Sequence, residues 1–174
     1  TVEVRIIDTA GNVAATVGSR SLSLGASQTG IMNFTWNTGG TLYGNYTVYV
    51  QFIEEGNAVA RATSPFSISA AMNISSKVST DKMWYEINQT ATINSTISSL
   101  SPNYIFENLT AKVSIRDQTA TSVYTDTRSI PMLMPGQLTE FKTYWNAANN
   151  APGNYTPNLT ITSSTGEVLS TSQS

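Results

Sequence analysis

The sequence predicts an all-β protein made of two tandem β-sandwiches, the first of them incomplete. Three observations carry that expectation. Apolar and polar residues alternate with a period of two along most of the chain, Gly-, Pro-, Asn- and Asp-containing turns interrupt the alternation at short intervals, and one stretch recurs 109 residues downstream of itself. Period-two alternation is the signature of strands with one face buried. No stretch carries a persuasive helical period. A fixed spacing between copies marks tandem units of domain size.

The recurrence is anchored by Trp36-Asn37 with Gly44-Asn45-Tyr46-Thr47, and by Trp145-Asn146 with Gly153-Asn154-Tyr155-Thr156. Sliding residues 1–65 onto 110–174 without a gap adds Thr1, Val4, Ile6, Asp8, Thr16, Leu24, Gln28 and Val59 to those six, fourteen identities in all. Five strands are expected in the first unit, at 2–7, 13–24, 30–37, 45–54 and 58–68. Val2, Val4 and Ile6 set the inward face of the first, and Tyr46, Val48, Val50 and Phe52 that of the fourth. About seven are expected afterwards, the extra pair lying in 72–87 and 89–98, ahead of the point where the copies align. In the later copy Pro157 stands on the alternating face Tyr155, Pro157, Leu159, Ile161, which predicts an edge position or a bulge near the strand start. Turns are expected at Asp8–Asn12, Gly39-Gly40, Glu55–Asn57, Pro135-Gly136, Asn149–Gly153 and Thr165-Gly166. Seven short strands in about 100 residues is the pattern of an immunoglobulin-like sandwich, with an up-and-down barrel as the alternative.

The expected units are therefore a partial sandwich over 1–70 and a full one over 71–174, with a short junction near Ser69-Ala70-Ala71. Residues 71–109 have no counterpart in the first unit. Either the chain is a window cut from a longer array, or a neighbouring subunit donates a strand; an incomplete sandwich exposes unpaired backbone groups beside apolar positions and so invites strand addition.

Composition narrows the chemistry. Charged residues are only 11% of the chain and the net charge is −2, with no basic cluster to release counterions from a phosphate backbone, so nucleic acid is not an expected partner. Cysteine and histidine are both absent. That removes disulfides, thiolate and Ser-His-Asp catalysis and nearly all zinc chemistry, so neither an enzyme nor a cofactor or metal is expected. Paired carboxylates among Asp81, Glu86, Asp117 and Glu140 have no spacing that suggests a hydrolase. No apolar run approaches the ~20 residues of a membrane span, and no signal peptide is recognisable; if secreted, the chain is a mature or excised piece.

With these motifs in place, and with Ser64-Pro65-Phe66-Ser67-Ile68 closing the first unit, the chain resembles the bacterial and archaeal immunoglobulin-like repeats of large cell-surface proteins. The resemblance covers essentially the whole chain. It implies an extracellular or surface setting, in which such repeats serve as stalks, adhesins, surface-layer subunits or filament units. The chain departs from antibody-type domains in lacking the inter-sheet cysteine pair.

Several features have both a structural and a functional reading. Trp36 and Trp145 are expected to plug the space between sheets, Gly44 and Gly153 to supply a positive φ at the turn, and Tyr46 and Tyr155 to start the next strand; the alternative is an exposed sugar-stacking platform. Asn-X-Ser/Thr sequons stand at Asn33, Asn45, Asn73, Asn88, Asn94, Asn108, Asn154 and Asn158, as candidate N-glycosylation sites or as a by-product of an Asn- and Thr-rich β-protein. Asp8 with Asn12, and Glu54-Glu55 with Asn57, are the richest loops for calcium, yet neither has the oxygen count of a calcium loop. Lys112 and Lys142 fall on outward positions, unsuited to an isopeptide link. The run Ile130-Pro-Met-Leu-Met-Pro135 is either an inter-subunit contact or part of the core. The expected function is a non-enzymatic extracellular spacer, surface-layer or filament unit, partnered by neighbouring copies or domains and open to assembly by strand complementation. The alternative is an adhesin or carbohydrate-binding module attached to a secreted protein, with glycans as its partners.

Overall fold

The computed structural model describes residues 1–148 and 150–174, so the expected turn at Asn149–Gly153 begins outside the described residues. The described residues form eleven strands and no helix. They fall into two compact units, Thr1–Ala71 and Met72–Ser174.

The first unit is one antiparallel sheet of β1 (Val2–Asp8), β2 (Val13–Arg20), β3 (Gly44–Glu54) and β4 (Asn57–Ile68), in the order β2-β1-β3-β4. Alternation in β1 buries Val2, Val4 and Ile6, and the register sets Val4 opposite Val50 and Ile6 opposite Val48. Two long strands meet in a two-residue hairpin at Glu55-Gly56, where φ is +49° and +82°, the paired positive values of a type I′ turn.

The second unit is a two-sheet sandwich. β5 (Ile74–Thr80), β6 (Thr90–Ser99) and β9 (Leu138–Asn146) make the sheet β5-β6-β9, while β7 (Phe106–Arg116), β8 (Ser122–Leu133), β10 (Thr156–Thr162) and β11 (Val168–Gln173) make β11-β10-β7-β8. Between them lies a core that includes Ile93, Ile97, Leu109, Val113, Leu133, Leu159 and Ile161, each at most 1% exposed. Offsetting the chain by 109 residues lays β1 on β7, β2 on β8, β3 on β10 and β4 on β11, and the two four-stranded sheets have the same strand order.

Four expectations about the strands need correction. Residues 30–37 belong to no sheet, although their counterpart is β9. β9 takes its ladder from β6 alone, and the first unit contains no strand equivalent to β6 to do the same for 30–37. The strand expected at 13–24 stops at Arg20, which lies opposite Val2 of β1; residues 21–24 have no partner there, and Leu24 is 48% exposed where its counterpart Leu133 is fully buried. The strand expected at 72–87 ends at Thr80, leaving 81–89 as a loop. Pro157 is on neither an edge strand nor a bulge: β10 lies between β7 and β11, and the proline is its second residue, ahead of the β10–β11 ladder that begins at Asn158. The first and last strands of the second unit, β5 and β11, stand in different sheets and are linked by the 2.8 Å hydroxyl pair Ser76–Ser170 rather than by a backbone ladder.

Candidate functional site

The most distinctive surface is the inner face of the first sheet. Val4, Ile6, Val48 and Val50 floor an apolar cavity of about 320 Å³, and Val17, Phe34, Trp36 and Phe66 form its rim. In a complete sandwich a second sheet would fill such a space, because protein interiors pack to crystal-like density. Here it opens to solvent.

The segment 30–37 supplies part of the lid. Met32, Phe34 and Trp36 are half-buried while Ile31, Asn33, Thr35 and Asn37 are exposed, so the segment keeps the alternation of an extended strand without a ladder. Side chains hold it in place. The Arg20 guanidinium lies 5.1 Å above the Phe34 ring, and Trp36 meets Phe66 edge-on at 6.0 Å. Phe66 in turn stacks on Tyr46 at 5.8 Å. The second unit secures β9 in a related way: Arg128 lies 5.0 Å over Phe141 and donates to the Lys142 carbonyl at 2.7 Å, and Thr143 donates to Asp126 at 2.8 Å. Cation–π contacts of this kind are worth about 0.5–1 kcal/mol at exposed sites.

The Trp-Gly-Tyr motif behaves differently in the two units. Trp145 is 7% exposed and packs on Tyr155 at 5.0 Å, as a core plug; Trp36 is only half-buried and faces the cavity. Gly44 adopts φ +148°, a conformation that disfavours side chains, but Gly153 has no positive φ, which corrects the expectation for that residue. Tyr46 lies within β3 and Tyr155 immediately before β10. Each hydroxyl donates to the carbonyl four residues upstream, Tyr46 to Leu42 at 2.7 Å and Tyr155 to Ala151 at 2.6 Å. The sequence predicts the tyrosines as strand starters but not this bond, whose signal is their equal offset from tryptophan in the two units.

Asp8, Asp81 and Asp117 hold turns and loops. Asp8 accepts from the backbone N–H of Asn12 at 2.8 Å and of Ala10 at 2.9 Å, and Asp117, 109 residues further on, accepts from Thr119 and Thr121 at 2.9 Å each. The Asn12 amide above all holds the Asp8 carboxyl below its ordinary value, and the Thr119 hydroxyl does the same for Asp117. Glu54 and Asn57 flank the β3–β4 hairpin, and Asn57 donates to the Glu55 carbonyl at 3.4 Å. Asp81 accepts from the Tyr85 hydroxyl, the main reason its carboxyl is held low, and from the Thr92 N–H at 2.9 Å. That pairing shapes the loop 81–89, from which Met83, Trp84 and Ile87 project at 101%, 72% and 79% exposure. A strand expected within 72–87 conceals this exposed trio in the sequence.

Six sequon asparagines, Asn33, Asn45, Asn73, Asn88, Asn108 and Asn154, are exposed, while Asn94 and Asn158 are half-buried. Asn88 and Asn108 have positive φ, which asparagine tolerates better than most residues. Lys112 and Lys142 are exposed. In the apolar run 130–135, Ile130 and Leu133 point into the core and Met132 and Met134 point out.

No family model and no curated protein matches the chain. Among solved structures it is similar to a calcium-binding mutant of Bacteroides uniformis beta-glucuronidase 2, with TM-score 0.43 and 12% identity over 98% of this chain and 31% of that one. It is also similar to Bacteroides uniformis beta-glucuronidase 2 covalently bound to cyclophellitol-6-carboxylate aziridine, with TM-score 0.42 and 13% identity over the same shares. The chain thus spans less than a third of the length of either.

Proposed function

We propose that this chain is a non-enzymatic extracellular structural module, a tandem of immunoglobulin-like sandwiches that serves as a spacer, surface-layer or filament unit. The observation that carries the reading is the corner built twice, with Tyr46 bonded to Leu42 and Tyr155 to Ala151 at the entry to an inner strand of like-ordered sheets. A tyrosine tied back to upstream backbone at that point is a hallmark of immunoglobulin-type sandwiches. The division of the second unit into sheets of three and four strands also favours it. So does the use of Asp8, Asp81 and Asp117 to hold loops in shape. The sparse surface charge and the exposed sequons fit a glycan-coated surface.

The proposed role is mechanical. To extend the second unit by its ends, a load must strip β5 from β6 or β11 from β10, and either step uncovers fully buried aliphatic side chains. Single-molecule stretching of the whole chain tests this. The expected trace contains one cooperative rupture that releases the second unit, with a contour gain of about 350 Å at ~3.4 Å per residue. Smooth extension without a rupture would remove the mechanical reading.

A second reading, an adhesin or carbohydrate-binding module, takes support from Trp84, whose exposed indole offers a face for a sugar ring. Trp145 and Trp36 do not support it, being buried and half-buried. Titration with soluble polysaccharides while following tryptophan emission tests it. A saturable change that Trp84→Ala abolishes would favour this reading over the purely structural one.

A further inference from the structure

We propose that the open face of the first unit is a docking site for a β-hairpin of the β5–β6 type, contributed by a further repeat, whose second strand pairs antiparallel with residues 30–37. The inference rests on the sandwich architecture of the preceding reading and not on its extracellular setting or mechanical role.

The second unit displays what occupies the equivalent face there. β6 runs along β9 with Ala91 opposite Trp145 and Ile93 opposite Thr143, and the 109-residue offset places Trp36 and Phe34 at those two β9 positions. Alternate residues of that hairpin, Val78, Ala91, Ile93 and Ile97, are buried against the four-stranded sheet. The first unit has the matching floor, Val4, Ile6, Val48 and Val50, and the matching rim strand, already extended and held by the contacts of Arg20 with Phe34 and of Trp36 with Phe66. It lacks the filling.

These surroundings define the occupant. A lining of aliphatic and aromatic side chains calls for aliphatic residues at every second position of the guest. The unladdered backbone of 30–37 calls for a guest strand that supplies N–H and C=O groups at ladder spacing, the physics of strand addition. A small apolar ligand would answer the cavity but leave the segment without a ladder. The β5–β6 hairpin of a second copy is also disfavoured, because withdrawing it would expose Ile93 and Ile97, now 1% and 0% exposed in their own core.

The test grafts a second copy of residues 72–109 ahead of Thr1 in the full chain, since in the second unit that segment directly precedes Thr110, the counterpart of Thr1. A control graft carries Ile93→Ser and Ile97→Ser in the added copy alone. Amide hydrogen exchange is then followed by residue. The expected result is slowing on the order of 100-fold across residues 31–37 with the plain graft, no slowing with the control, and unchanged exchange in the original second unit. Equal exchange at 31–37 in parent, graft and control would overturn the proposal. So would a parent chain that protects 31–37 by itself as concentration rises, which would identify a second copy as the occupant. Neither outcome bears on the rupture expected of the second unit under load, so the two proposals fail separately.

Discussion

The two units share a four-stranded sheet, an aspartate-held turn and a tyrosine bonded to the carbonyl four residues upstream, yet only the second closes a core between two sheets. In the second, Leu159 and Ile161 are fully buried because β5, β6 and β9 cover them. In the first, their counterparts Val50 and Phe52 are half-buried, and Val50 lines an open cavity. Equivalent local sequence therefore produces equivalent strands, turns and corners but not equivalent burial. Backbone geometry is decided locally and across neighbouring ladders, whereas core formation needs the second layer.

Substitution at matched positions sharpens that contrast most strongly. Leu159→Ala should destabilise the second unit by about 3 kcal/mol, the usual cost of emptying a fully packed leucine site. Val50→Ala, at the matched position, should cost the first unit only ~1 kcal/mol or less, since little apolar area is lost from a half-open face. Urea unfolding of each variant, followed by resolved signals near Trp36 and Trp145, checks both. Similar losses would mean that the first unit is as tightly packed as the second.

The corner should behave alike in both units because it is local. Removing its hydroxyl by Tyr155→Phe or Tyr46→Phe should cost about 1 kcal/mol in either case, the typical net worth of one hydrogen bond. Paired denaturation curves would show it, and a marked inequality would break the equivalence of the two corners.

What was legible in the sequence follows the same division. The alternation around Val4 and Leu159, the Asp8–Asn12 turn and the Trp-to-Tyr spacing are local or periodic signals, and they located most strands. Residues 30–37 have as good an alternation as β9, and no local pattern reveals the lack of a neighbour to pair with; the β2 overrun past Arg20 has the same cause. Trp84 was hidden because a strand-like run of residues continued past Thr80 into a loop shaped by Asp81 and Tyr85. A positive φ is expected at Gly153 as at Gly44, and the corner closes there without one. The open face itself was foreseeable only as missing strands; its rim contacts, Arg20 on Phe34 and Trp36 on Phe66, are long-range.

Smaller effects test the turns. Glu55 holds a positive φ at the first central position of the β3–β4 hairpin, where asparagine is favoured, so Glu55→Asn should stabilise the first unit by roughly 0.5 kcal/mol. A raised thermal midpoint would show it. Acid should loosen the two aspartate turns together. Both carboxyls are held below the ordinary 3.8, so their contribution is present above that pH and is lost as pH falls through the folded values. The effect is small, since both side chains are solvent-accessible. Amide shifts of Asn12 and Thr121 should titrate in that acid range and cease to do so in Asp8→Asn and Asp117→Asn respectively.

Native-state hydrogen exchange on the unmodified chain measures the central contrast most directly, because it reads local stability residue by residue. Amides of β6, β7 and β10 should exchange only through global opening of the second unit, those of β1 and β3 should exchange faster, and residues 31–37 should be nearly unprotected. Protection of 31–37 equal to that of β9 would contradict the account, for it would mean that the first unit is already a closed sandwich.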